Sequence, residues 1–341
     1  MTSESNLVAD FVDTLRKNGE DALEKARAEL LEPSYNGSSV SSAVKYFARV
    51  TLRDALPVFP ALISLSSEAF GGKPERTIGV GAALSLIVSA ADIHDDVIDK
   101  STIKYNKKTV FGKFGASIAL LAGDALLVRG LTLLHEESSH LSLKQKRRIL
   151  ILVNKAFLEV SKAEAKETVM KGKLVIPPEK YLEILELKCV VPQVHCQIGA
   201  IIADANNEGI STIGDFGKTY GIISSIVEEF ADLLSTDELE SRIKNECPPL
   251  PLLYALKNPR ARREVLELVS STTMKVADLE RVAKIVMRSK EVQGIYDKMD
   301  SDSQKAIRKL PLLDERIGRE LASLLLAPIT SLQQSMNRAY C

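Results

Sequence analysis

Tryptophan is missing from this 341-residue chain, aromatic residues reach only 5%, and cysteine occurs four times. With so few rings, Ala, Leu, Ile and Val supply most apolar positions. Cys189, Cys196, Cys247 and Cys341 show neither CxxC spacing nor the density of a disulfide scaffold, which points to a reduced, cytoplasmic setting. Cys189 and Cys196 are seven residues apart, share a helix face and read as packing groups. No charge sign is in excess: 45 Lys and Arg balance 45 Asp and Glu, so no net field draws the chain to nucleic acid or anionic lipid. The one basic run, Lys144-Gln145-Lys146-Arg147-Arg148, has no interleaved aromatics. It reads as the solvated start of the apolar helix after it and not as a nucleic-acid surface.

Other absences bound the architecture. No Pro/Gly/Ser linker divides the chain, no repeat is visible and no clear period-two alternation marks strands, so the expectation is one all-α domain over residues 1–341. Ile149-Leu150-Ile151-Leu152-Val153, continued by Ala156, Phe157 and Val160, keeps helical apolar spacing and predicts a well-buried helix. Met1-Thr2-Ser3-Glu4-Ser5 lacks the basic and apolar parts of a signal peptide. The apolar run from Thr77 to Ala91 falls short of the roughly 20 residues of a membrane span, so no stable membrane insertion is expected.

The most informative feature lies immediately after Ala91. Asp92-Ile93-His94-Asp95-Asp96-Val97-Ile98-Asp99 places four carboxylates on one face of a helix, at i, i+3, i+4 and i+7. Unit charges about 4 Å apart repel by about 4 kcal/mol at an effective dielectric near 20. Beside an apolar segment such a stripe needs cations, and hard oxygen ligands suit Mg²⁺. Alone it would equally fit a solvated acidic face. A second cluster, Glu228, Glu229 and Asp232, repeats the spacing of Asp95, Asp96 and Asp99 after another largely apolar stretch. Two such clusters facing each other across a helical bundle could hold several divalent ions and make a metal-bridged diphosphate a good leaving group.

Between residues 60 and 256 the chain resembles the trans-isoprenyl (polyprenyl) diphosphate synthases, enzymes of all-helical fold. The matches run in order: Glu68-Ala69-Phe70-Gly71-Gly72, His94-Asp95-Asp96-Val97-Ile98-Asp99, Leu121-Ala122-Gly123-Asp124-Ala125-Leu126-Leu127, Tyr181 with Lys188, and Leu250-Pro251-Leu252 with Ala255-Leu256 beyond it. The resemblance implies that Asp95, Asp96, Asp99, Glu228, Glu229 and Asp232 bind Mg²⁺, and that Lys188 steadies an allylic prenyl diphosphate while Asp95 and Asp99 support its ionisation. It implies that His94 is not a ligand, and that Ala90 and Ala91 open a deep pocket where short-product members carry aromatics. It also implies a homodimer.

The departures concern the acceptor. Leu56-Pro57-Val58-Phe59-Pro60 stands where the family has Gly-Lys-Arg and Arg-Pro, Val88 replaces a His or Gln, and Lys104-Tyr105 replaces Arg-Arg. In the family these groups grip isopentenyl diphosphate. Losing three charge-assisted hydrogen bonds at about 1.5 to 3 kcal/mol each weakens such a site by roughly 5 to 9 kcal/mol. Cys189 replaces the Thr after Lys188, and Ser224-Ser225 replaces Phe-Gln before the second motif. Arg242 or Lys244 could stand in for the missing lysines beyond it, and the sequence does not choose between them. Three readings stay open: a transferase with another acceptor, a terpene cyclase whose second metal site is Asp232, Thr236 and Glu240 at i, i+4 and i+8, and a non-catalytic subunit in a heteromer with a homologous synthase.

Overall fold

The computed structural model describes residues 4–32, 37–104, 106–269, 274–310 and 314–340. Met1 to Ser3, Tyr105 and Cys341 lie outside the described residues. The chain runs through α1 (Glu4–Leu31), α2 (Ser39–Val50), α3 (Val58–Glu68), α4 (Ile78–Ile98), α5 (Val110–Phe114), α6 (Ala116–Glu137), α7 (Leu143–Met170) and α8 (Pro178–Lys188). It continues with α9 (Val190–Ile202), α10 (Asn207–Leu234), α11 (Thr236–Asn245), α12 (Leu250–Ala255), α13 (Pro259–Val269), α14 (Val276–Met287), α15 (Lys290–Arg308) and α16 (Glu315–Tyr340). The expected all-α class holds. The exception is a two-residue hairpin after α4, β1 (Ile103–Lys104) with β2 (Lys107–Lys108), which positions Lys104.

One continuous apolar core extends from Leu15 of α1 to Met336 of α16. Helix α4 packs mainly on α6 and α1, while α9 lies between α3 and α10. A Cβ at Gly199 would collide with the Ile63 carbonyl oxygen, so α3 and α9 approach at a distance that only glycine permits. From Val80 to Leu86, α4 is buried all round, as expected of a helix apolar on every side. The acidic stripe prolongs it to 21 residues. By length and composition both α4 and α6 could therefore cross a membrane, more than the Thr77–Ala91 run implied. In the folded chain 56% of the most apolar window of α4 is buried inside the protein.

Helix α7 departs from expectation. A capping box between Ser142 and Gln145 starts it at the predicted place, with the basic run in its first turns. It is not well buried: Leu150, Ile151, Phe157 and Leu158 are exposed, because α8 and α9 cover only one side of an apolar face wider than their contact. On α6, Leu120, Leu121, Val128 and Leu131 are exposed as well.

A buried ionic network ties α8, α10, α11 and α12 together. Arg242 Nε donates to the Cys247 carbonyl at 2.8 Å, while Nη2 donates to the Tyr181 hydroxyl at 2.7 Å and to Glu229 Oε1 at 2.9 Å. Its Nη1 pairs with Asp232. Glu229 also accepts from Tyr181 Oη at 2.9 Å and from the Leu250 N–H at 2.6 Å. Burial opposes the charge of Arg242, but Glu229, Tyr181 and Asp232 outweigh it and hold the guanidinium more firmly protonated than usual.

Removing one member of this network should be costly. Arg242→Met strands Glu229 without its counter-charge and is expected to cost about 3–5 kcal/mol in urea unfolding. The double variant Glu229→Gln/Arg242→Met should recover part of that loss, and a single-variant loss below about 1 kcal/mol would show the network to be incidental. His195, on α9, stacks on Phe59 with ring centroids 4.8 Å apart and donates from Nδ1 to the Val191 carbonyl at 2.7 Å. Its Nε2 is buried without a partner, and burial pulls its pKa from 6.5 down to about 4. The neutral ring is compatible with the fold, so its contribution is complete above pH 6.5 and is lost as pH falls towards 4. Between pH 7 and 5 this removes about 2 kcal/mol, a slope that His195→Gln should flatten. Equal slopes in both proteins would contradict it.

Candidate cation and diphosphate site

The acidic stripe forms as predicted. Asp92, Asp95 and Asp96 lie in the last turns of α4, and Asp99 caps its end, its N–H bonded to the Asp95 carbonyl. Asp96 is buried and the others are half-buried. Burial first, then the charges of Asp99 and Glu164, push the Asp95 carboxyl well above the usual range. Burial likewise pushes Asp96 up to about 6. Across the bundle Glu228 keeps exposed surface, and crowding by surrounding atoms together with the neighbouring charges of Asp232 and Glu229 raises its proton affinity, to about 7. Carboxylates so disfavoured as free anions favour a cation nearby.

Lys104 pairs with the first cluster and lies within electrostatic reach of the second. From the hairpin its Nζ lies 3.0 Å from Asp92 Oδ1 and 2.8 Å from Asp96 Oδ1, and its charge also acts on Asp95 and Glu228. Burial opposes that charge, and the aspartates outweigh it and raise the lysine's pKa. Lys171, just beyond α7, pairs with Asp99. Lys188, at the end of α8, sits 2.8 Å from Glu164 and 2.6 Å from Glu167 of α7, within electrostatic reach of Asp95. Sequence reasoning missed Lys171, Glu164 and Glu167. Only the i, i+3 spacing of the two glutamates on α7 and the need of Lys188 for counter-charges could have pointed to them.

Several expectations require correction. Glu229 was expected to bind metal, yet both its oxygens are taken up by Arg242, Tyr181 and Leu250, so it anchors helices instead. Arg242 was a candidate for substrate, yet it is 8% exposed and committed to that same network. Lys244 sits on the outer side of α11, paired with Glu240 one turn away. Of the proposed pocket pair, only Ala90 is buried; Ala91 is exposed, since successive helical side chains point about 100° apart. The Asp232, Thr236, Glu240 pattern does not share a helix: Ser235 is extended and separates α10 from α11. The signal lay in Ser235-Thr236-Asp237-Glu238, a cap and then acids that open a helix. His94 points towards α6, its Nε2 3.3 Å from the Leu120 carbonyl oxygen.

The donor set fits a hard divalent cation in kind. It consists of carboxylate oxygens, and Asp95 Oδ1 is buried without a hydrogen-bond partner. Among the described residues no three such groups are already gathered around one point. Lysines lie against Asp92, Asp96 and Asp99 in this conformation.

Known proteins resemble this chain in sequence and in fold. The polyprenyl synthetase family model matches residues 58–286. Geranylgeranyl diphosphate synthase of Sulfolobus acidocaldarius is 29% identical over 182 residues, 53% of this chain and 55% of that protein. The chain thus matches little more than half the length of that relative. Heptaprenyl diphosphate synthase component 2 of Bacillus subtilis is 28% identical over 254 residues, 72% of this chain and 69% of that protein. The crystal structure of geranylgeranyl pyrophosphate synthetase from Pyrococcus horikoshii superposes with a TM-score of 0.81 at 20% identity, covering 94% of this chain and 98% of that one. Polyprenyl synthase from Caulobacter crescentus, crystallised with calcium and isoprenyl diphosphate, gives 0.78 at 20% identity over 94% and 97%. At these identities the structural likeness establishes the all-helical fold. The match across more than half of the chain, through both acidic clusters and the helices that carry them, makes this protein a member of the polyprenyl synthetase family.

Proposed function

We propose that this chain is a Mg²⁺-dependent prenyltransferase that ionises an allylic prenyl diphosphate. The observation that supports the reading is that Lys104, paired with Asp92 and Asp96 of α4, lies within electrostatic reach of Asp95 and of Glu228 on α10. Asp95, Asp96, Asp99, Glu228 and Asp232 are the residues to hold Mg²⁺, which when bound would take up charge developing on the diphosphate. Lys188 and Lys104 are placed to donate to diphosphate oxygens, exchanging their present carboxylate partners for the ligand. The apolar core around Ile93 and Ala90 keeps water from a carbocation.

The acceptor differs from the usual one in this reading. Val58 and Phe59, at the start of α3, and Val88 on α4 put apolar surface where the family's cations would stand. An acceptor gripped by its diphosphate therefore lacks its partners, and one bound through apolar contact is favoured. Cyclisation loses its support with the break at Ser235.

The exposed apolar residues of α6 and α7 favour association between chains, as a homodimer. The name of the Bacillus relative, component 2, favours a heteromer as a second reading. Buried thiols, with Cys189, Cys196 and Cys247 pushed up to about 12, are in keeping with a cytoplasmic protein.

Asp95→Ala is expected to reduce Mg²⁺-dependent release of diphosphate from farnesyl or geranylgeranyl diphosphate by about 100-fold or more, measured with and without isopentenyl diphosphate. Because the raised proton affinity of Glu228, about 7, competes with cation binding, half-saturating Mg²⁺ should fall as pH rises through that value. Unchanged turnover in Asp95→Ala, or a Mg²⁺ requirement independent of pH, would contradict the assignment.

A further inference from the structure

Two lysines from different elements hold three of the four aspartates of the stripe, and the fourth keeps a buried oxygen without a partner. Lys104, on the hairpin, lies 3.0 Å from Asp92 Oδ1 and 2.8 Å from Asp96 Oδ1. Lys171, in the turn after α7, pairs with Asp99. Among the described residues, Oδ1 of Asp95 accepts no hydrogen bond.

The backbone sets both lysines in place. The Ser101 N–H bonds to the Asp96 carbonyl at 2.9 Å, and Lys100, at φ 56°, turns the chain through the left-handed region that residues with a Cβ seldom occupy. Pairing of Lys104 with Lys107 in the hairpin then returns Lys104 to the helix end the chain has just left. After α7, Gly172 turns at φ 72°, and its N–H bonds to the Glu246 carbonyl at 2.9 Å, which ties the turn to the end of α11. The backbone is fixed, whereas each ammonium rides on a flexible four-carbon stem that can swing aside.

The hold is strong in charge and weak in direction. The contact of Lys104 with Asp96 Oδ1 lacks hydrogen-bond alignment, so that buried oxygen, like Asp95 Oδ1, accepts no hydrogen bond. The Lys104 side chain is 38% exposed, and ion pairs that open to solvent are readily exchanged. Burial opposes the charge of both lysines, yet the aspartates outweigh it and keep both more firmly protonated than usual. Neither amine therefore leaves by losing its proton. It leaves for another anion.

We propose that Lys104 and Lys171 form a removable clasp over the first carboxylate cluster: a diphosphate draws both amines onto its own oxygens and thereby frees Asp96 and Asp99 for divalent cations. Anion and metal then bind cooperatively through these two side chains, because an ammonium held by a phosphate oxygen no longer competes for the aspartate. By linkage, a cation on the aspartates favours the anion on the lysines to the same degree. The choice of a diphosphate as the anion rests on the prenyltransferase reading; the competition between lysine and metal does not.

Mn²⁺ binding read by electron paramagnetic resonance, with no anion present, tests that competition without turnover. Lys104→Gln/Lys171→Gln should bind Mn²⁺ about tenfold more tightly than the unaltered chain. Lys107→Gln, which removes a lysine of the same hairpin that pairs with Asp54 outside the stripe, should leave Mn²⁺ affinity unchanged. Inorganic pyrophosphate in EDTA, followed by calorimetry, should bind the double variant about tenfold more weakly than the unaltered chain. Circular dichroism in EDTA checks that each variant folds, and if the double variant does not, Lys104→Gln alone carries the same comparisons. Mn²⁺ affinity unchanged or weakened in the folded lysine variants, or equal tightening in Lys107→Gln, would overturn the clasp. Tighter Mn²⁺ binding with unchanged pyrophosphate binding would overturn its coupling to the anion. Both shifts in a protein that turns over no prenyl diphosphate would support the clasp and contradict the prenyltransferase reading.

Discussion

Like charges brought together beside an apolar core repel one another and lose water, and the organisation of this protein is governed by how that repulsion is offset. Asp92, Asp95, Asp96 and Asp99 end one core helix, and Glu228, Glu229 and Asp232 end another. Each cluster borders the interior, where screening by solvent is weakest. The fold answers with cations on neighbouring elements: Lys104 on the hairpin, Lys171 after α7, Lys188 on α8 and Arg242 on α11. Each lies where the helix carrying an acid ends or where the next element begins.

The offsets are of two kinds, and the difference separates structure from chemistry. Around Glu229 the compensation is complete. A guanidinium, a phenol and a backbone N–H satisfy both oxygens out of reach of solvent, a geometry that locks four helices. Around Asp95 and Glu228 it is partial: an orphaned oxygen remains on Asp95, and both groups bind protons more tightly than free carboxylates. A site that holds its anions at a disadvantage is poised to exchange protons or lysines for a stronger cation and its ligand. The second cluster is thus divided, with Glu229 as the anchor and Glu228 outside that network.

Local patterns in the sequence foretold much of this and tertiary ones did not. The stripe of Asp92 to Asp99 was legible because helical periodicity alone puts those residues on one face. The helical class was legible from the absence of period-two alternation, and the start of α7 from the solvated basic run Lys144 to Arg148. Three things were hidden. The commitment of Glu229 to Arg242 depends on α11 folding back, and that turn rests on a single cap at Ser235. The exposure of α7 depends on what covers it, which periodicity cannot report. Lys104 read as the loss of an arginine pair; its contact with Asp92 and Asp96 arises only because a two-residue hairpin returns it to the helix end. Residue type and spacing specify the acids well, whereas their partners come from distant segments.

The central claim is that the clusters of α4 and α10 act as one cation site. A double-mutant cycle on Mn²⁺ affinity, read by electron paramagnetic resonance with Asp95→Asn, Glu228→Gln and their combination, tests it most directly. With a non-ionisable allylic thiolodiphosphate present, a shared site predicts a coupling energy above about 1 kcal/mol. Effects that add to within about 0.5 kcal/mol would mean that the two carboxylates serve separate sites, and would contradict the account.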